Sequence, residues 1–216
     1  MTHLYVVCEG LTEVNFVTQL LKPHLEAPGP SLLTVGARNL MGNYTCTPLK
    51  KFVKNLLGSP ASPVAVTTIV DLFKVPGDYP GIADASNEAP FERVQHLEHQ
   101  CMEDISDHRF FPYLQLHEFE ALLLADLTVL IEQHPNRRKE VGDLTARLDR
   151  EFPSPEHVDR MRPPSYWIKD AVPEYSKTID GPITAARIGF PTLRKRCPHF
   201  GQWLKRLEDF TPHPTH

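Results

Sequence analysis

Leu4-Tyr5-Val6-Val7-Cys8-Glu9-Gly10-Leu11-Thr12-Glu13 is the stretch whose reading decides the fold. Leu4 to Val7 are largely apolar and β-prone, and they read as a short buried strand. Gly10 breaks it. From Thr12 onwards Val14, Phe16, Val17, Leu20, Leu21 and Leu25 recur at helical spacing. A strand that feeds a helix through a glycine turn opens a βα unit, and in sheets built of such units the active crevice lies beyond the carboxyl ends of the strands. Glu9 falls at that place. The reading puts its carboxylate in solvent, where it can hold a cation or take a proton.

The same logic extends along the chain. Pro28-Gly29-Pro30 marks a turn, Ser31 to Arg38 reads as a second strand, and Pro48 to Leu57 has helical period with proline in the first turn, until Gly58-Ser59-Pro60 ends it. Val64-Ala65-Val66-Thr67-Thr68-Ile69-Val70 is nearly all β-branched, as a strand covered on both faces should be, and it ends in Asp71. A long loop from Phe73 to Ala89 leaves the same edge as Glu9, and loops of that length are uncommon without a task. Glu88 to Ile105 reads as a helix and Phe110 to Leu116 as a fourth strand, which runs into His117-Glu118-Phe119-Glu120. This βαβαβαβ order predicts an α/β fold with a mostly parallel four-stranded sheet flanked by helices. Residues 1–126 form that expected domain, and 127–216 form a helical, proline-rich extension packed on it. In the extension Leu127 to Gln133, Asn136 to Phe152, Ile183 to Ile188 and Phe200 to Phe210 read as helices, while Pro153 to Tyr175 reads as irregular.

Parallel strands share one carboxyl edge, so Glu9, Asp71 and Glu118 are expected to converge there. Carboxylates without cysteine or clustered histidine suit a hard cation, Mg²⁺ or Mn²⁺. Glu9 and Asp71 provide such a site, and Glu118 or Glu120 completes it or supports a second ion for phosphodiester cleavage. Glu9 is also a candidate general base. Glu13, a further metal candidate, lies in the first helical turn, where the dipole favours a negative charge anyway, so a purely structural role competes with the metal one. His117 reads as a hydrogen-bonding partner, and His96 with His99 as a solvated helix face. Gly10 lacks the companion glycines and lysine of a phosphate loop, and no glycine-flanked serine elbow occurs.

Composition sets outer bounds. With 216 residues, 41% apolar and 23% charged, this is an ordinary globular chain long enough for a sizeable core. Its 4 cysteines show no zinc spacing and read as reduced thiols in a cytoplasm; no apolar run is long enough for a membrane span, and no signal-peptide pattern opens the chain. A formal charge of −4 exerts no general pull on nucleic acid. From Arg187 to Arg206, however, Arg187, Arg194, Lys195, Arg196, Lys205 and Arg206 are interrupted by no acid, which is either a solvated helical face or a track for a phosphate backbone.

Four stretches in order carry a resemblance: Val7-Cys8-Glu9-Gly10-Leu11-Thr12-Glu13; Val70-Asp71-Leu72-Phe73 with Pro76 and Asp78-Tyr79-Pro80-Gly81; His117-Glu118-Phe119-Glu120-Ala121-Leu122-Leu123; and Pro173-Glu174 with Asp180-Gly181-Pro182. Over nearly the whole chain they resemble a bacterial Toprim-like family of uncharacterised proteins, catalogued as a domain of unknown function. More distantly they are similar to the Toprim nuclease domains of overcoming-lysogenization-defect type. The resemblance implies a Toprim-like (Rossmann-like) fold in which a glutamate after the first strand and an Asp-x-Asp after a later one hold Mg²⁺. Glu9 and Asp71 match, but the second Asp falls on Phe73, so Glu118 or Glu120 substitutes, or the site holds one ion weakly, or chemistry is lost. It implies also a basic helper near the C-terminus, for which Lys177 and Arg187 are the candidates, and a partner ATPase within a phage-defence locus. The expected function is a metal-dependent nuclease acting on DNA or RNA. The alternatives are a non-catalytic module docking on an ATPase or nucleic acid, and nucleotidyl transfer by the same acids.

Overall fold

The computed structural model describes residues 2–26, 33–40, 45–60, 64–87, 89–158 and 162–210. The turn expected at Pro28-Gly29-Pro30, the start of the second strand at Ser31 and the helix start at Glu88 lie outside the described residues. In chain order β1 (Thr2–Cys8) leads through Gly10 into α1 (Leu11–Phe16), a π-helical turn (Val17–Leu21) and α2 (Lys22–Glu26); then come β2 (Leu33–Asn39), α3 (Cys46–Leu57) and β3 (Ala65–Asp71). After 3₁₀ turns at Leu72–Lys74 and Asp84–Asn87 follow α4 (Pro90–Ile105), β4 (Phe110–Phe111) and β5 (Leu114–Gln115). The remainder is helical: α5 (Glu120–Leu123), α6 (Thr128–Gln133), α7 (Arg138–Glu151), α8 (Pro164–Ala171), α9 (Asp180–Arg196) and α10 (Pro198–Glu208).

All strand pairs are parallel, in the order β2-β1-β3-β4, with β5 also on β3. The chain therefore builds outward from β1 to β2 and then crosses back to lay β3 on the other flank of β1. The carboxyl ends of β1 and β3 straddle that reversal, the place where open α/β sheets form their crevice. Alternation along the strands fills both faces. Leu4, Val6 and Cys8 pack with Phe16, Leu21, Phe200 and Leu204, while Tyr5 and Val7 pack with Leu49, Val53, Val94 and Leu97. Every residue of β3 is buried, as its β-branched run requires.

The fourth strand departs from expectation by being two segments. Pro112 offers no N–H to a ladder, so pairing lapses at Pro112-Tyr113. Thr68 fills the gap: its hydroxyl accepts the Tyr113 N–H at 2.9 Å and donates to the Tyr113 carbonyl at 3.0 Å. Proline is accommodated elsewhere by similar means. Pro23 has no N–H to give to Gln19, and the helix widens just before it, with Lys22 N–H bonding to the Val17 carbonyl. In α9, Pro191 follows a kink at Gly189, whose φ of 75° suits glycine.

The long loop after β3 is pinned. Asp78 accepts the Cys46 N–H at 3.0 Å and so caps α3, Tyr79 is buried, and Gly81 has a φ of 77° where a Cβ would meet the His96 ring. One element was missed from sequence. Within the stretch read as irregular, Pro164 occupies the first turn of α8, which buries Trp167 and Ile168.

Replacing Thr68 with Val keeps the shape but strands the Tyr113 N–H and carbonyl in the interior. The expected loss is about 1–3 kcal/mol, to be read as a lower urea midpoint at unchanged m-value; an unchanged midpoint refutes the bridging role.

Candidate active site

Glu9 continues the pairing of β1 by one residue, donating its N–H to the Ile69 carbonyl at 3.1 Å. Its side chain does not face solvent as the sequence suggested. It is buried, because the carboxylate folds over the end of β3 and its Oε2 accepts the Asp71 N–H at 3.1 Å, an amide that β1 ends too soon to pair. Positions 9 and 71 thus share one rim. Glu13 joins them from the third residue of α1: buried, with Oε2 accepting the Gly10 N–H at 2.9 Å, it secures the turn that presents Glu9.

Glu120 arrives from the other side of β3. After β5, His117 takes a φ of 66°, a left-handed step that strains a non-glycine residue. Its Nε2 lies 3.1 Å from the Glu156 carbonyl and its ring stands edge-on to Phe73 at 5.4 Å, so histidine serves here by hydrogen bonding and packing. Beyond the step the two glutamates part. Glu118 accepts the Ser165 N–H at 2.6 Å at the start of α8. Glu120, fully buried at the start of α5, turns to the rim.

Lys177 and Tyr175 close the cluster. The Lys177 ammonium donates to Glu120 Oε2 at 2.9 Å and stands 3.7 Å from Asp71 Oδ2, and the Tyr175 hydroxyl donates to Glu120 Oε1 at 3.4 Å. Asp71 Oδ1 is buried with no hydrogen-bond partner among the described residues. Tyr175 was overlooked in the sequence, although it directly follows the Pro173-Glu174 stretch. Gly181 makes room for it, since a Cβ there would stand 3.1 Å from the Tyr175 oxygen.

Burial is the main electrostatic influence. It pushes Asp71, Glu9 and Glu120 above the ordinary carboxylate range. Lys177 opposes the rise in all three, and the Asp71 N–H opposes it at Glu9. Burial works against the charge on Lys177 as well, but the carboxylates of Asp71 and Glu120 outweigh it and hold the ammonium protonated above its usual range.

The other basic candidates lie elsewhere and mostly have acidic partners. Arg187 pairs with Glu132 at 3.5 Å, Arg194 with Glu208 at 2.5 Å, Arg196 with Asp149 at 2.8 Å and Lys205 with Asp209 at 3.3 Å. Arg206 lies over the Phe111 ring at 4.2 Å. Lys195 borders a cavity of about 490 Å³ whose lining includes Leu124, Leu148 and Pro191 but none of the rim acids. Phe73, where a second aspartate was expected, packs on His117. Among the described residues no three His, Cys, Asp or Glu side chains stand ready around one metal position, the four cysteines are buried and unbridged, and no helix is long and apolar enough to cross a membrane.

A model of the family described as a domain of unknown function, DUF4276, matches residues 8–208. No curated protein matches the chain. Two solved structures of the C-terminal region of the Xanthomonas campestris pv. campestris OLD protein are similar to it. At 15% identity each, one aligns with a TM-score of 0.44 over 95% of both chains and the other with 0.42 over 95% of this chain and 97% of that one.

The raised carboxylates make a signed prediction. A carboxyl whose native pKa is raised stabilises the fold fully below its unfolded value and loses that contribution as pH rises through the native one. The raised Asp71 carboxyl is therefore a cost to the fold above the ordinary carboxylate range, and Asp71→Asn removes it. The variant should melt roughly 2–4 °C higher than wild type at neutral pH, the shift expected for about 1 kcal/mol in a chain of this size. The gap should close as pH falls into the carboxylate range. A gap that is constant with pH, or reversed, contradicts the assignment.

Proposed function

The chain belongs to the DUF4276 family of domains of unknown function, and we propose that it is a metal-dependent nuclease of Toprim-like type, hydrolysing phosphodiester bonds of DNA or RNA. One observation carries the reading: buried acids from β1, β3 and the start of α5 meet at the sheet's switch point, with a lysine ammonium bonded among them. Structural carboxylates rarely gather so densely, because each one buried adds desolvation cost and repels the others. Sites of perturbed carboxylates in such places are where catalysis is to be sought.

The donor set suits Mg²⁺ or Mn²⁺. It is all carboxylate oxygen, and the buried Asp71 Oδ1 has a lone pair that no hydrogen bond engages among the described residues. Asp71 and Glu120 would hold the ion, with Glu9 next to them. A divalent ion bound there supplies Lewis acidity toward a phosphate oxygen and draws charge from an attacking water. The chain's own residues do the rest. Glu9, whose carboxyl burial raises, is the candidate to accept a proton from that water. Lys177 brings a positive charge to the phosphate, Tyr175 orients Glu120, and Glu13 fixes the Gly10 turn so that Glu9 keeps its place. Glu118, spent on α8, acts as support. Arg194, Lys195, Arg196, Lys205 and Arg206 remain candidates for backbone contacts, for which Arg194, Arg196 and Lys205 would have to leave their present acidic partners. A neighbouring ATPase in a phage-defence locus is the partner that goes with this reading.

A second reading, a module that binds a partner without catalysis, is favoured by Phe73 in place of the second aspartate. One assay separates the two. Purified protein with Mg²⁺ or Mn²⁺ should cleave plasmid, single-stranded DNA or transfer RNA, and Glu9→Gln, Asp71→Asn and Glu120→Gln should each cut the rate by about 10²–10⁴-fold. Absence of metal-dependent cleavage on all three substrates, or cleavage that survives the substitutions, removes the nuclease reading.

A further inference from the structure

We propose that Lys177 is the site's resident counter-ion, an ammonium that a divalent ion must displace from between Asp71 and Glu120. The inference rests on the metal-dependent reading above and concerns how that site is filled.

Position is the first argument. Nζ stands 2.9 Å from Glu120 Oε2 and 3.7 Å from Asp71 Oδ2, between the two carboxylates best placed to hold a cation. The arrangement explains why no ready group of three acidic ligands is found among the described residues. Asp71 and Glu120 each turn one oxygen to the ammonium, while Glu9 is engaged with the Asp71 N–H.

Charge is the second. Glu9, Glu13, Asp71 and Glu120 are all buried, and Lys177 is the cation bonded to two of them. One ammonium, bonded to two of the four, balances such a group of carboxylates only in part. A divalent ion brings twice the charge to the same oxygens.

Mobility is the third. The Lys177 side chain is 37% exposed, against 4% for Asp71 and 0% for Glu120, so it enters from the solvent side over acids that stay covered. Its backbone is tied on either flank: Ser176 N–H bonds to Asp180 Oδ2 at 2.7 Å, and Asn15 donates to the Thr178 carbonyl at 3.3 Å. Displacement is thus a swing of the flexible lysine stem, with the main chain left in place. The freed ammonium stays within reach of the rim that a phosphate would approach.

Calorimetric titration with Mn²⁺ tests the exchange without recourse to activity. Lys177→Met should bind Mn²⁺ about tenfold tighter than wild type or better, and Lys177→Arg should stay near wild type. Equal or weaker binding by Lys177→Met overturns the proposal. Wild-type protein supplies a check independent of folding of the variant. Acetylation of Lys177 by acetic anhydride, followed by mass spectrometry, should rise several-fold when Mn²⁺ is added, and an unchanged or falling yield overturns the exchange. If neither wild type nor Lys177→Met binds Mn²⁺, the metal-dependent reading itself fails, and this inference with it.

Discussion

The structure turns on the cost of keeping several carboxylates out of water at one end of a parallel sheet. Ionised groups are not buried without compensation, and here the compensation comes from particular donors. The Asp71 amide serves Glu9, the Gly10 amide serves Glu13, Lys177 with Tyr175 serves Glu120, and the Ser165 amide serves the half-buried Glu118 beside them. Two of those donors belong to the rim itself. The others come from the region between α7 and α9, so the C-terminal helices form part of the site as well as covering a face of the sheet. The close fit of Gly181 against Tyr175 and Thr12 has the same origin, because α9 must approach α1 to bring Lys177 over the rim.

Glu156 shows why burial alone does not identify such a site. It too is buried and raised by desolvation. Yet its Oε2 accepts the His199 N–H and its Oε1 the Phe200 N–H, each at 3.0 Å, so both oxygens cap the first turn of α10. Its chemistry is complete. Asp71 differs in having one oxygen shared with an ammonium and the other unengaged among the described residues. The contrast separates a carboxylate with both oxygens engaged by amides from one with an oxygen left open among the described residues, a distinction that depends on where the lone pairs go.

That distinction also marks the limit of what the sequence discloses. The strand before Glu9 and the β-branched run before Asp71 were plain, because covered parallel strands need continuous apolar residues and a single chain direction puts their ends together. What lay hidden depended on pairings between distant residues. Nothing local to Glu9 tells that the Asp71 amide lacks a strand partner and will draw the carboxylate inward. Nothing in the spacing of Arg187, Arg194 and Arg196 tells that Glu132, Glu208 and Asp149 stand opposite them. Helix α8 escaped notice for a different reason. The density of prolines from Pro153 to Tyr175 reads as irregular chain, whereas Pro164 sits in the first turn of a helix, where its missing N–H costs nothing.

Proline placement bears on the rigidity of the segments around the rim. Fixed donors stabilise charge in a buried site more effectively than mobile ones, since they need no reorganisation when the charge develops. Pro164 and Pro198 start helices, and Pro23 and Pro191 are absorbed by a π turn and a glycine kink, so these four stiffen the chain with little loss of hydrogen bonding. Pro164 opens the helix whose first-turn amide, that of Ser165, holds Glu118. Two residues beyond Glu118, Glu120 meets Lys177 and Tyr175 from the segment before α9. In a frame so constrained, the long stem of Lys177 lies more open to solvent than Asp71 and Glu120, which it joins.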